Sequence, residues 1–165
     1  MVNGETETWP GAVPSFAEDE PDVITIAAVR GLGFAAPLLA VDEVRVARRE
    51  GTLRLRATKR VTASDPYMAA HFPTLTVFPG VFIVETVRQA VVLALGAEAD
   101  GLEILQLRSA RFLAPMLAGD LMTLEAAVEE RDGGRYQVNA TCWRDDGVTT
   151  AKVRLEMGPL GEPDA

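Results

Sequence analysis

Apolar and polar residues alternate with a period of two in three stretches of the carboxy-terminal half. Met122, Leu124, Ala126 and Val128 alternate with Thr123, Glu125 and Glu129; Tyr136, Val138, Ala140 and Cys142 alternate with Arg135, Gln137, Asn139 and Thr141. Ala151, Val153, Leu155 and Met157 alternate with Thr150, Lys152, Arg154 and Glu156. Such alternation marks strands with one buried face. Asp132-Gly133-Gly134 and Asp145-Asp146-Gly147 separate them at hairpin spacing. Upstream, Val44, Val46, Leu53, Leu55 and Ala57 follow the same rule across a turn at Glu50-Gly51, which predicts a hairpin of 41–49 and 52–61. A less regular strand is expected over 102–113, and 23–40 reads as an approach segment with short helical turns.

The period changes once. From Pro79-Gly80 to Leu95 the chain is apolar nearly all round, and Gly96 follows directly. A helix apolar on every face is buried on most of them. The expected fold is therefore α+β: one domain with a long central helix wrapped by a curved antiparallel sheet.

Composition adds boundaries. The formal charge of −8 over 165 residues belongs to the ends. Residues 1–22 carry Glu5, Glu7, Glu18, Asp19, Glu20 and Asp22 without a Lys or Arg, and 158–165 carry Glu162 and Asp164. The expected organisation is an acidic disordered extension over 1–22, a folded domain over 23–157 and a flexible tail over 158–165. One cysteine and one histidine exclude a disulfide framework and a His/Cys metal cluster. The unbroken apolar run Ala90–Ala97 is too short to span a bilayer, and no basic start precedes an apolar stretch. A cytoplasmic protein is expected, with no membrane partner and, at a pI near 4.7, no nucleic-acid partner. Arg45, Arg48, Arg49, Arg54, Arg56, Lys59 and Arg60 crowd together against the single acid Glu50. They read either as a solvated strand face or as a docking patch for an acidic partner.

Two titratable groups stand out by context. Glu85 lies within the apolar helix, where a carboxyl must be paired or become a weaker acid; Arg88, one turn on, is a structural partner for it. His71, in Ala70-His71-Phe72-Pro73, is either a structural residue or a general base suited to neutral pH. Gln89 is one turn from Glu85 on the same face. Gly80 opens the helix, where unpaired N–H groups favour developing negative charge. A base, an acid and an oxyanion donor are the parts needed for elimination beside a carbonyl.

The segment His71-Phe72-Pro73-Thr74-Leu75-Thr76-Val77-Phe78-Pro79-Gly80-Val81, followed by Glu85 fourteen positions after the histidine and Gln89 four later, resembles the active-site motif of the FabZ-type 3-hydroxyacyl-[acyl-carrier-protein] dehydratases. That motif reads H-F-P-G-x-P-x-x-P-G-V, with the acidic residue and the glutamine in the same register. Ser109-Ala110-Arg111-Phe112-Leu113-Ala114-Pro115-Met116-Leu117-Ala118-Gly119-Asp120 is similar to the family's N-A-R-F-x-x-P-V-x-P-G-D block, and Leu38 to Val44 to its L-L-V-D-R-V entry. The resemblance covers roughly 34–157 and implies the hot-dog fold and a hydro-lyase without cofactor or metal, its substrate carried on the phosphopantetheine arm of an acyl carrier protein. It further implies a dimer, homodimer or heterodimer with a related hot-dog chain, whose sites each take the histidine from one chain and the carboxylate from the other. His71 is then the base at C2, Glu85 the acid at the C3 hydroxyl, Gly80 the oxyanion donor, the Val77 carbonyl the guide of the imidazole, and Gln89 the guide of Glu85.

With an acidic carrier as partner, Arg54, Arg56, Lys59 and Arg60 become the expected docking residues. Glu rather than Asp at 85 resembles the branch that dehydrates without isomerising. Ala70, Thr74, Thr76 and Arg88 depart from the motif, which points to polyketide or other specialised synthesis rather than housekeeping fatty-acid synthesis. The alternatives are a non-catalytic subunit of a heterodimeric dehydratase and an acyl thioesterase.

Overall fold

The computed structural model describes residues 24–27, 38–49, 51–68 and 75–160. Seven strands and one long helix follow in the order β1 (Ile24–Ala27), β2 (Glu43–Arg49), β3 (Thr52–Arg60), α1 (Gly80–Leu95), β4 (Leu102–Phe112), β5 (Leu121–Arg131), β6 (Arg135–Arg144) and β7 (Thr149–Pro159). All pair antiparallel in one sheet of order β1-β2-β3-β5-β6-β7-β4. Helix α1 lies against its apolar face, the hot-dog arrangement.

The alternating patterns became strands because one parity buries everything it carries. Leu53, Leu55, Ala57, Met122, Leu124, Ala126, Val138, Ala140, Cys142, Val153, Leu155 and Met157 are at most 3% exposed. Between β5 and β6 the chain reverses through Gly133 and Gly134 at φ 76° and 68°, a left-handed pair that only glycine adopts without strain. β4 lacks clean alternation for a visible reason. Its pairing with β7 slips between Ile104 and Gln106 and again between Leu107 and Ser109, so the two faces exchange along the strand.

Two details differ from the sequence reading. Residues 24–27 form a strand on β2, within the expected approach segment. β7 continues to Pro159, which pairs with Leu102, so 158–159 belong to the sheet rather than to a tail. The proposed extension over 1–22 and the rest of the tail from 161 lie outside the described residues.

The helix is covered on one side only. Ile83, Thr86, Val87, Gln89, Ala90, Val91, Leu93 and Leu95 are buried, whereas Val81 is 69% exposed and Glu85, Arg88 and Val92 are half-buried. A single sheet can cover only one side of a helix, which leaves this stripe open. The span Gly80–Ala99 is long and apolar enough to cross a membrane, but its buried residues are those packed into the sheet's core.

Candidate active site

The site is assembled at the start of α1. Pro79, extended at φ −62° and ψ 137°, brings the chain into the helix, and its carbonyl accepts from the Phe82 and Ile83 N–H groups. The segment before it is held by the 114–120 turn: Val77 bridges to Leu117, and the Phe78 N–H donates to the Met116 carbonyl at 2.8 Å. Asp120 tightens that turn by accepting from the Leu117 N–H at 2.7 Å. Phe78 is buried, edge-on to Tyr67 at 5.5 Å, and Tyr67 stacks on Phe82 at 3.7 Å. Burial, reinforced by Asp65, pushes the Tyr67 phenol above its usual range, and its hydroxyl donates to the Leu39 carbonyl at 3.2 Å.

Gly80 opens onto a cleft of about 330 Å³ lined by Val77, Ile83, Phe112, Leu113 and Met116 among others. The Phe112 ring lies over Gly80 so closely that a Cβ there would meet its Cζ at 2.8 Å. Glycine thus allows an aromatic ring to roof the first residue of the helix. Phe112 is half exposed, so its ring can swing away. Gly80→Ala is expected to leave the melting temperature nearly unchanged and to lower kcat/KM by about tenfold or more through displacement of the roof. A melt and a Michaelis curve on the same preparation check both halves.

Five residues on from Gly80, about 7.5 Å along the axis, Glu85 is 30% exposed rather than enclosed. Its Oε1 accepts from Gln89 Nε2 at 2.9 Å and from an Arg88 Nη at 3.2 Å. Gln89 spends its whole amide: Nε2 also donates to the Leu38 carbonyl at 3.1 Å, and Oε1 accepts the Ala40 N–H at 2.9 Å. Thr86 completes the seam by donating to the Ala40 carbonyl at 2.8 Å. The 38–40 segment is thereby laid along the helix and Glu85 is fixed to it. Arg88 reaches onward to Glu103 on β4, Nε to Oε2 at 3.2 Å and the second Nη to Oε1 at 3.1 Å. Sequence reasoning missed Glu103; it lies at the irregular start of β4, and only the fold brings it to the helix.

The structure therefore brings together Gly80, Glu85 and Gln89 on one helix, with Val77 at its approach. His71 lies outside the described residues. The expected docking residues separate. Arg54, Arg56 and Arg60 share the outer parity of β3, but Lys59 shares the inner parity with Leu53, Leu55 and Ala57 and is 5% exposed. Its ammonium lies 3.6 Å from Asp42 and 3.5 Å from Asp65, which removes it from any docking surface. Arg56 is engaged with Glu125 at 2.6 Å, and Arg60 donates to the Gly119 carbonyl at 3.1 Å. Burial pushes the Cys142 thiol up to about 12, which makes it a packing residue rather than a nucleophile. Among the described residues no group of three or more His, Cys, Asp or Glu side chains could hold a metal ion.

A central helix in an antiparallel sheet defines a hot-dog protein, here with a carboxyl held by an amide one turn away and a glycine-opened helix start. The profile of the FabA-like domain matches residues 34–152, and the chain belongs to that family as a FabZ-type dehydratase. The 3-hydroxyacyl-[acyl-carrier-protein] dehydratase FabZ of Alkalilimnicola ehrlichii is 34% identical over 146 residues, 83% of this chain and 91% of that protein. The enzyme of the same name from Verminephrobacter eiseniae is also 34% identical, over 84% of this chain and 96% of its own length. Among solved structures, the dehydratase heterocomplex ApeI:P from Xenorhabdus doucetiae shares the fold with a TM-score of 0.56 and 15% identity, over 68% of this chain and 93% of that one.

Proposed function

We propose that this chain removes water from a 3-hydroxyacyl thioester carried on an acyl carrier protein, giving the trans-2-enoyl thioester. The observation that carries the reading is the Gln89–Glu85 pair beside the glycine-opened helix, within a chain matched over most of its length by FabZ enzymes. His71 takes a proton from C2, the released electron pair forms the C2–C3 double bond, and the C3–O bond breaks. Glu85 gives its proton to the departing hydroxyl, so water leaves. The Gly80 N–H holds the thioester oxygen as negative charge builds there, and the Val77 carbonyl orients the imidazole. Acid–base elimination carries the chemistry with the substrate's own carrier arm.

The active form is a dimer in which histidine and carboxylate come from different chains. Two features support it. β4 is the sheet's edge, eleven residues long, with Leu107, Phe112 and the following Leu113 about half exposed. The open stripe of α1 around Val81 needs an apolar cover as well. The exposed Arg60, with Arg54 and Arg56 beside it on the outer parity of β3, is the docking side for an acidic carrier. The unpaired, buried Cys142 suits a reducing cytoplasm, and the departures at Ala70, Thr74, Thr76 and Arg88 favour a specialised, polyketide-like substrate. A non-catalytic subunit is the second reading, prompted by the Arg88 contact to Glu85.

Purified chain incubated with 3-hydroxyacyl carrier-protein thioesters is expected to release water, followed by mass spectrometry, at a mass in solution twice 17.7 kDa. No turnover alone, restored by adding a related hot-dog chain, would replace this reading with the second one.

A further inference from the structure

Glu85 has two oxygens in different surroundings. Oε1 accepts from both Gln89 and Arg88, while Oε2 has no hydrogen-bond partner among the described residues. A carboxylic acid that accepts through one oxygen can donate only from the other. Two N–H donors on Oε1 thus assign it the carbonyl role and leave Oε2 to hold the proton. Gln89 alone supplies one donor. The second comes from a guanidinium that is itself immobilised, its side chain 16% exposed and its Nε and other Nη both spent on the Glu103 carboxylate. On its far side Arg88 walls a cleft of about 560 Å³ together with Val92, Leu102 and Glu103. The group is therefore held at the edge of open space, where a loose side chain would swing.

We propose that Arg88, braced by Glu103 across the helix–sheet seam, is a positioning residue for the dehydration: with Gln89 it fixes Glu85 Oε1 so that Oε2 delivers the proton to the leaving hydroxyl. This rests on the dehydratase reading above. It also gives the Arg88 contact a constructive role. Glu103 matches the guanidinium charge, so Glu85 adjoins an ion pair of zero net charge rather than an unopposed cation. The pairing is geometric as well: a guanidinium has a planar fork wide enough to serve two carboxylates at once, whereas an ammonium is a point donor.

The test uses the full-length chain and carrier-bound 3-hydroxyacyl substrate. Arg88→Met is expected to lower kcat by about tenfold, with KM and melting temperature unchanged, because the acid stays present but loses its aim. Arg88→Lys should recover part of the loss, and Glu103→Gln should lower kcat in the same direction by a smaller factor. In a Glu85→Gln background, Arg88→Met should reduce the residual turnover no further. An unchanged kcat in Arg88→Met, a loss that appears only as a lower melting temperature, or full additivity with Glu85→Gln would each overturn the inference. The two readings fail separately. Glu85→Gln inactive with Arg88→Met indifferent removes only the positioning role, whereas Glu85→Gln fully active removes the dehydration site itself.

Discussion

Replacing His71 by Ala, or Glu85 by Gln, is expected to lower turnover by about 10²–10⁴-fold, the usual cost of deleting one acid–base group. Glu85→Gln should not unfold the protein: Glu85 is partly exposed, and glutamine keeps its size and its acceptor toward Gln89. Mixing the two dead variants gives the sharper result. If each site draws its histidine and its carboxylate from different chains, a mixed dimer has one site with both defects and one with neither. Random exchange makes half of the dimers mixed, so about a quarter of wild-type activity should return. Sites built within single chains would return none. The measurement is the specific activity of the mixture after unfolding and refolding together, against each variant treated alone.

The largest expected loss of stability is at Phe78. Its side chain is 2% exposed, edge-on to Tyr67 and tilted to Phe82 at 6.3 Å, and the following residue, Pro79, leads into the helix. Phe78→Ala removes a filled volume that the flanking anchors cannot close, because Val77 is bridged to Leu117 and the Phe78 N–H is tied to Met116. The cost is about 3–5 kcal/mol, typical of large aromatic truncations in a core. For a chain of this length that lowers the melting midpoint by about 10 °C. Phe78→Leu should recover most of it. A denaturant titration of the three proteins settles the order, and equal midpoints for wild type and Phe78→Ala would show that the ring contributes nothing.

Much of this fold is written locally. Period-two runs ending in glycine turns specify β3, β5, β6 and β7 without long-range information, and one apolar run bounded by Pro79 and Gly96 specifies the helix. β4 was legible only as an irregular strand, because its bulges are set by the partner strand rather than by its own residues. At the site, the spacing of Glu85 and Gln89 already implied their contact. The hold of Gln89 on Ala40, forty-nine residues away, could not be read from any window of sequence. Arg88 had a legible partner one turn back and an illegible one on β4. Lys59 is the instructive error. Counting it with neighbouring cations made a patch, yet the parity of Leu53, Leu55 and Ala57 already directed it inward.

That inward lysine also holds the turn that follows β3. Lys59 reaches Asp65, Asp65 accepts from the Thr62 N–H at 3.0 Å, and Met68 at the end of the same turn is fully buried. On the other side, Phe78 is buried and pinned to Met116. The described chain is therefore anchored on both sides of 69–74, by the Lys59–Asp65 pair before them and by the tie of the Phe78 N–H to Met116 after them. Lys59 works as a tent peg for the 62–68 turn: pull it out and Asp65, 15% exposed, loses the cation 3.5 Å away, so this turn should slacken before the sheet does.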